Sequence, residues 1–273
     1  MIEINNLHFT YHQKSENPKK ALNGISLSIK EGEFVTIIGQ NGSGKTTLAK
    51  HLNVILSPTK GTVLIDGINT QEEEVWEIRK KVGMVFQNPD NQIICSTVRS
   101  DIAFGPENLG IDRVEIEKRV NESLRLLELN DFQNYPPYML SEGLKQKVAI
   151  ASVLAMETKY IIFDEPTSML DPSGKKEVFE LIINLRKKRD VTIIYITHIM
   201  KEVLKSDRVI VMSEGKVVLD NSPNKIFSKL EILRSLALDV PIIPDIVYRL
   251  RKRGISIPQQ IITTQELINC LTQ

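Results

Sequence analysis

Cysteine is nearly missing from this chain of 273 residues: Cys95 and Cys270 stand far apart, with no CxxC pair and no Cys/His cluster. That argues against a disulfide-stapled fold or a metal site made by the chain alone, and it fits a reducing compartment with incidental thiols. Long apolar runs are missing as well. The longest, such as VTIIYIT and YIIF, are strand-sized and far short of the roughly 18 residues that suggest a membrane helix. The opening MIEINNLHFTYHQK has no basic start followed by an apolar stretch, so no secretory signal is expected. Nor does one sign of charge dominate: 35 Lys and Arg face 34 Asp and Glu, which leaves no electrostatic footprint for nucleic acid. There is no internal repeat and no low-complexity tract. The length suits one large domain, or a domain with an appendage, with a sizeable core. If such a protein serves a membrane, it does so from the water side.

What is present is a change of texture along the chain. Residues 1 to 38 alternate apolar and polar in short segments (MIEINNLHF, ALNGISLSI, EFVTIIG), and GTVLIDG at 61 to 67 continues the pattern; these read as strands of a mixed sheet. TTLAKHLNVIL, from Thr46, has helical spacing. From DRVEIEKRVNESLRLLEL (112 to 129) to LKQKVAIASVLAM (144 to 156) the spacing is again helical, with NYPPYML as a breaker, and this middle part reads as a helical insertion. YIIFDEP, SGKKEVFELIINLRKKR, VTIIYITH, a helix near MKEVLKSD, and RVIVMSEGKVVLD then alternate strand and helix, as a largely parallel sheet with helices on its faces requires. From about residue 222 the texture changes once more. Residues 241 to 271 read as two short helices, and the basic run RLRKRG as a solvated helix end.

GQNGSGKTT, at 39 to 47, follows an apolar strand and precedes a helix. It fits GxxxxGK[ST], in which small residues let consecutive backbone N–H groups wrap phosphate at a helix N-terminus. Gly39, Asn41, Gly42, Ser43, Gly44, Lys45, Thr46 and Thr47 make up this loop. Lys45 would reach the β- and γ-phosphates of a nucleoside triphosphate, Thr46 would bind Mg²⁺ through its hydroxyl, and Gly42 and Gly44 permit close backbone approach. In YIIFDEP the apolar residues describe a buried strand whose end would project Asp164 towards the metal and Glu165 towards the attacking water. Two adjacent carboxylates can equally be a solvated turn, and it is the phosphate loop that decides between the two. His198 ends a second buried strand, where the parallel-sheet rule places ligand chemistry, although a lone His is commonly structural. Gln87 follows the strand of VGMVFQNP, and Tyr11, after LHFT, is placed to stack on a base or simply to sit in an exposed turn.

Taken together, these motifs resemble the nucleotide-binding subunits of ATP-binding-cassette transporters. Tyr11, the phosphate loop, Gln87, the signature LSEG, IIFDEP, SMLD and His198 occur in that family's order over about residues 1 to 220. The resemblance implies a P-loop α/β fold with a mostly parallel core sheet, an antiparallel β subdomain and a helical subdomain (about 88–158) within residues 1–221, and a small C-terminal dimer-contact appendage at 222–273. It implies ATP and Mg²⁺ as cofactors, Glu165 as catalytic base, His198 at the γ-phosphate, Gln87 coupling metal and water to a membrane partner, and Asp171 communicating across a dimer. VFQNPDNQ, DIAFGPENLGI, EPTSMLDPSGKKEV and LDVPIIPDIVYRLRKRGI are similar, more narrowly, to the ATPases of energy-coupling-factor transporters, importers of vitamins or of cobalt and nickel ions. Such ATPases work as homo- or heterodimers at the cytoplasmic face of the cell membrane, as peripheral proteins on a transmembrane coupling protein that carries a membrane substrate-binding protein. Two competing readings are a soluble cassette ATPase and a regulatory ATP-binding subunit with little turnover. The first usually brings tandem cassettes or long coiled-coil insertions, and neither a second phosphate loop nor heptads occur here.

The signature departs from the family's LSGGQ: Glu142 replaces the first Gly and Leu144 the Gln, while Ser141 and Gly143 remain. In the resembled family this loop caps ATP held by the opposite subunit, so Ser141 and Gly143 would face the partner's nucleotide. A Glu142 carboxylate pointing inward at roughly 6 Å from one phosphate charge would cost about 3 kcal/mol at an effective dielectric of 20. Pointing outward it would sit in the first helical turn, where a negative charge is stabilising by about 0.3–1 kcal/mol. The retained Ser141 and Gly143 favour the outward, functional arrangement.

Overall fold

The computed structural model describes residues 1–14, 16–72, 75–189 and 191–272. The alternation at the start of the chain becomes β1 (Ile2–Tyr11) and β2 (Lys19–Ile29), paired antiparallel with Ile2 opposite Ile29. β3 (Phe34–Gly39) leaves them for a second sheet and is buried at all six residues. After α1 (Lys45–Leu52), β4 (Lys60–Ile65) and β5 (Ile68–Asn69) return to the first sheet, whose order is β2-β1-β4-β5. A short α2 (Val75–Arg79) leads into β6 (Val82–Val85), and then α3 (Val98–Asn108), α4 (Arg113–Leu126) and α5 (Glu142–Ala155) pack on one another. β7 (Tyr160–Asp164), α6 (Pro172–Arg189), β8 (Thr192–Ile196), α7 (Met200–Val203), β9 (Arg208–Ser213) and β10 (Lys216–Asn221) follow.

The second sheet has the order β10-β9-β3-β8-β7-β6. All its pairings are parallel except the β9–β10 hairpin. Its register aligns the carboxyl ends: Ile37 lies beside Ile196, Ile196 beside Asp164, and Phe163 beside Val85. One face of this sheet (Phe34, Phe163, Tyr195) is covered by α5 and α6 through Ala149, Val153, Val178 and Ile182. The other face (Ile37, Ile162, Ile194) packs on Leu48 and Leu52 of α1 and on the inner side chains of the first sheet, among them Ile4 and Ile65. Strands covered on both faces read as continuous apolar runs, which is why YIIF and VTIIYIT stand out in the sequence.

Beyond β10, α8 (Pro223–Phe227) and α9 (Leu230–Ser235) join the sheet's own core, with Phe227 and Leu233 against Ile38, Val209 and Val211. α10 (Ile242–Lys252) and α11 (Thr264–Leu271) form a small separate cluster around Val247, Ile257 and Leu267. These two are the pair of helices expected from the sequence; α8 and α9 were not anticipated there. Neither was α3, which carries Gly105 and Pro106 yet opens on a capping box formed by Thr97 and Ser100, a device that supplies the first N–H groups with partners.

α5 lies directly on the backbone of β6. A Cβ at Gly83 would come within 2.4 Å of Val153 Cγ1 and 2.8 Å of Thr158 Oγ1, so hydrogen is the only side chain that fits. Gly83→Ala should therefore lower the unfolding free energy by about 1–3 kcal/mol, read as a shift in the urea midpoint. A midpoint equal to that of the unsubstituted chain would show that the helix seat has slack.

Candidate functional site

β3 delivers the chain to the phosphate loop, and α1 starts at Lys45 without a side-chain cap: Gly44, in the capping position, has φ +103°. A left-handed residue there favours glycine, and a helix start without a cap leaves its first N–H groups free for an anion. Lys45 is buried, and its ammonium donates to the carbonyls of Gly39 at 2.8 Å and Gln40 at 3.1 Å. Burial lowers its pKa, against the opposing charges of Glu165 and Asp164. The hydroxyl of Ser43 is buried with no hydrogen-bond partner among the described residues. Such an orphan in a loop of this kind fits a phosphate oxygen as its missing partner.

Asp164, the last residue of β7, is 4% exposed and accepts a hydrogen bond from Thr46 Oγ1 at 3.0 Å. Burial foremost, together with the neighbouring Glu165 charge, raises its pKa, while Thr46 and Lys45 pull the other way. A hydroxyl and a carboxylate side by side form a hard-oxygen donor pair of the kind Mg²⁺ takes when substrate phosphates and water complete its shell. Among the described residues no group of three His, Cys, Asp or Glu side chains could hold a metal by itself. The donor set therefore fits a phosphate-associated ion rather than a protein cage.

Glu165 has φ +48°, a conformation that costs a non-glycine residue about 1–3 kcal/mol. Its N–H donates to Ile196 O at 3.0 Å, tying it to the end of β8. One carboxylate oxygen, Oε2, accepts from Gln87 Nε2 at 3.3 Å and lies 3.5 Å from His198 Nδ1. Gln87 follows β6 and His198 follows β8, so the three residues singled out on separate strands meet at a single oxygen. Tyr11 reaches the same pocket from the end of β1. Its hydroxyl is 3.2 Å from Thr47 Oγ1, and its ring packs edge-on to Phe9. The resulting open cavity, of about 970 Å³, is lined by the phosphate loop with Tyr11, Gln87, Glu165 and His198, and also by Lys19, Lys20, Ser168 and residues 237–239.

Some expected residues lie elsewhere. Asp171 accepts from the N–H groups of Ser173 and Gly174 at the start of α6, and neither it nor Ser141 nor Gly143 lines this cavity. Ser141 caps α5 by accepting from the N–H of Leu144, and the Glu142 carboxylate is paired with Lys145. A residue that sequence reasoning missed is Glu202. Buried in α7, it receives hydrogen bonds from the hydroxyls of Thr197 at 2.6 Å, Tyr195 at 3.1 Å and Thr167 at 3.1 Å. It thus joins the turn carrying His198 to the loop after Glu165. Burial raises its pKa and the three hydroxyls oppose that. A single Glu in a charged helix gives no sequence signal for such a role.

The ABC transporter family model matches residues 22–168. The energy-coupling factor transporter ATP-binding protein EcfA1 of Clostridioides difficile is 49% identical over 100% of this chain and 99% of its own length. The cobalt import ATP-binding protein CbiO of Syntrophus aciditrophicus is 47% identical over 98% of this chain and 94% of its own. The solved structure of CbiO1 of Clostridium perfringens, part of the ABC transporter complex CbiONQ, superposes with a TM-score of 0.75 at 36% identity, covering 93% of this chain and 96% of that one. The pocket geometry and these full-length likenesses agree: the chain belongs to the ABC transporter family, among its energy-coupling-factor ATP-binding proteins.

Proposed function

We propose that this chain is the ATP-hydrolysing subunit of an energy-coupling-factor importer for vitamins or for cobalt or nickel ions. It would work at the cytoplasmic face of the cell membrane as one half of an ATPase dimer, docked on a transmembrane coupling protein that carries a membrane substrate-binding protein. The observation that carries the reading is the meeting of Gln87, His198 and Glu165 at one carboxylate oxygen, beside Lys45, Thr46 and Asp164. Lys45 is held by two loop carbonyls; ATP would draw the ammonium onto its β- and γ-phosphates, with the Ser43 hydroxyl and the α1 N–H groups completing the cradle. Thr46 and Asp164 would hold Mg²⁺, with Gln87 near by, and the ion when bound neutralises charge on the phosphate oxygens. Glu165 would orient and deprotonate the attacking water. As the water oxygen bonds to the γ-phosphorus, the bond to the bridging oxygen breaks, giving ADP and phosphate. Gln87 and His198 keep the carboxylate aimed, and His198 would touch the γ-phosphate. Ser141 and Gly143, outside the chain's own pocket, would serve the nucleotide of the partner ATPase, so that ATP closes the dimer and hydrolysis reopens it.

An apolar groove supports a membrane partner. Ile55, Trp76, Phe86, Ile94 and Phe104 line a trough of about 440 Å³ between α2, β6 and α3, and Trp76, Ile94 and Phe104 are 51%, 65% and 43% exposed. Phe86 is the residue before Gln87, so a helix of the coupling protein seated here would sit against the pocket's own loop. Residues 1–221 would form the ATPase proper, with the insertion at about 88–158 leading to the membrane side, and 222–273 would add dimer contacts.

Glu165→Gln should cut ATP turnover of the assembled complex about 100-fold or more while ATP binding persists, trapping a closed dimer visible by size-exclusion chromatography with ATP; unchanged turnover would remove Glu165 as the base. Phe104→Asp should lower recovery of the membrane partner in co-purification and leave ATP binding by the isolated chain as it is; full recovery would put the docking surface elsewhere. Asp164 gives a pH test. Between the ordinary carboxylate value of 3.8 and its raised value, the folded state keeps a proton that the unfolded chain has released, so stability falls as pH rises through that window. Asp164→Asn should therefore raise the melting temperature of the nucleotide-free chain at neutral pH, by a margin that shrinks as pH falls towards 4, and should abolish Mg²⁺-dependent ATP binding. A margin independent of pH would refute the linkage.

A further inference from the structure

The acidic residue in the signature loop has a built-in counter-charge. Glu142 occupies the first turn of α5, and its Oε1 lies 3.0 Å from the ammonium of Lys145, one turn further on. The same ammonium lies 2.9 Å from Asp90 Oδ1, in the short turn that follows Gln87. The Lys145 side chain is 12% exposed, against 42% for Glu142 and 57% for Asp90, so the cation is the enclosed member of the trio. Its position is held from both sides. Gln92 accepts from the Phe86 N–H at 3.1 Å and donates to Ala149 O at 2.8 Å, and Ser152 Oγ donates to Asp101 Oδ2 at 3.0 Å. Lys145, Ala149 and Ser152 recur at helical spacing along one face of α5; the first two tie the segment after Gln87 to α5 and the third ties α3 to it. The other oxygen of Glu142, Oε2, is buried and has no hydrogen-bond partner among the described residues; Lys145 provides the carboxylate's hydrogen bond.

We propose that Lys145 is a positioning residue for the closed dimer: it draws the Glu142 carboxylate onto the chain's own Gln87 loop and so keeps a negative charge away from the γ-phosphate that Ser141 and Gly143 contact. This rests on the reading that the loop serves a partner's ATP. With Lys145 the trio carries one net negative charge; without it, two negative charges remain beside the dimer contact and the Glu142 side chain loses its anchor. A glycine at that position would need no such cation, so the lysine matters because the glutamate is there.

The test is the ATP dependence of hydrolysis by the assembled complex, run alongside binding of a fluorescent ATP analogue to the isolated chain. Lys145→Met should raise half-saturating ATP roughly tenfold, between the small effect of an exposed ion pair and the large one of a buried pair. The maximal rate and analogue binding at the chain's own pocket should stay within about twofold. Adding Glu142→Gln to Lys145→Met should restore half-saturation to within about twofold of the unsubstituted complex, and Glu142→Gln alone should shift it by no more than that. A double variant as impaired as Lys145→Met would overturn the proposal. So would an equal loss from Glu142→Gln alone, which can be measured even if Lys145→Met folds poorly. Absence of ATP turnover in the unsubstituted complex would instead overturn the parent reading, which separates the two failures.

Discussion

The parallel pairing of β3 with β8 and of β8 with β7 sets Ile37 beside Ile196 and Ile196 beside Asp164, so these strands stop at one level. Each strand then hands over a different residue. β3 releases the phosphate loop, β7 ends in Asp164 and passes to Glu165, β8 leads to His198, and β6, paired in the same register, leads to Gln87. A slip of one residue in any pairing would turn that strand's side chains to the opposite face and separate groups that must meet within hydrogen-bond reach. The buried apolar runs on both faces hold the register, and the chemistry sits where those runs end.

The pocket's own side chains do not balance one another's charges and hydrogen bonds. Two neighbouring carboxylates, Asp164 and Glu165, stand beside a lysine whose hydrogen bonds go to backbone carbonyls, and the buried Ser43 hydroxyl has no partner among the described residues. Desolvation works against both the Asp164 charge and the Lys45 charge. A bound polyanion with its cation would resolve each of these at once, supplying acceptors for Lys45, Ser43 and the helix N–H groups and a positive charge for Asp164. The strained backbone of Glu165 belongs to the same pattern, in which local cost is carried by a rigid surround.

Much of this was legible in the residues. GQNGSGKTT acts through local backbone geometry, so its meaning survives without a structure, and the covered strands declare themselves as unbroken apolar runs. The parts that stayed hidden depend on contacts between distant segments. α3 was obscured by Gly105 and Pro106, residues that ordinarily argue against a helix interior; its capping box and its packing on α5 outweigh them. The turn of α7 shows only as MKEVLKSD, and nothing in those letters reveals that Glu202 gathers three hydroxyls from two other segments. The retained Ser141 and Gly143 favoured an outward Glu142, but nothing in the letters names a partner for its carboxylate; Lys145 and that lysine's second tie to Asp90 come from how α5 lies on the Gln87 loop.

The bare backbone at Gly83, pressed against Val153 and Thr158, gives α5 a fulcrum. A helix resting on a rigid strand with no intervening side chain cannot be squeezed closer, so load applied near its start is carried as rotation about that bearing rather than absorbed by repacking. The turn of Gln87 just past β6 and the signature loop at the head of α5 lie on the same side of that bearing and are tied together through Asp90 and Gln92, so displacement of either is carried to the other.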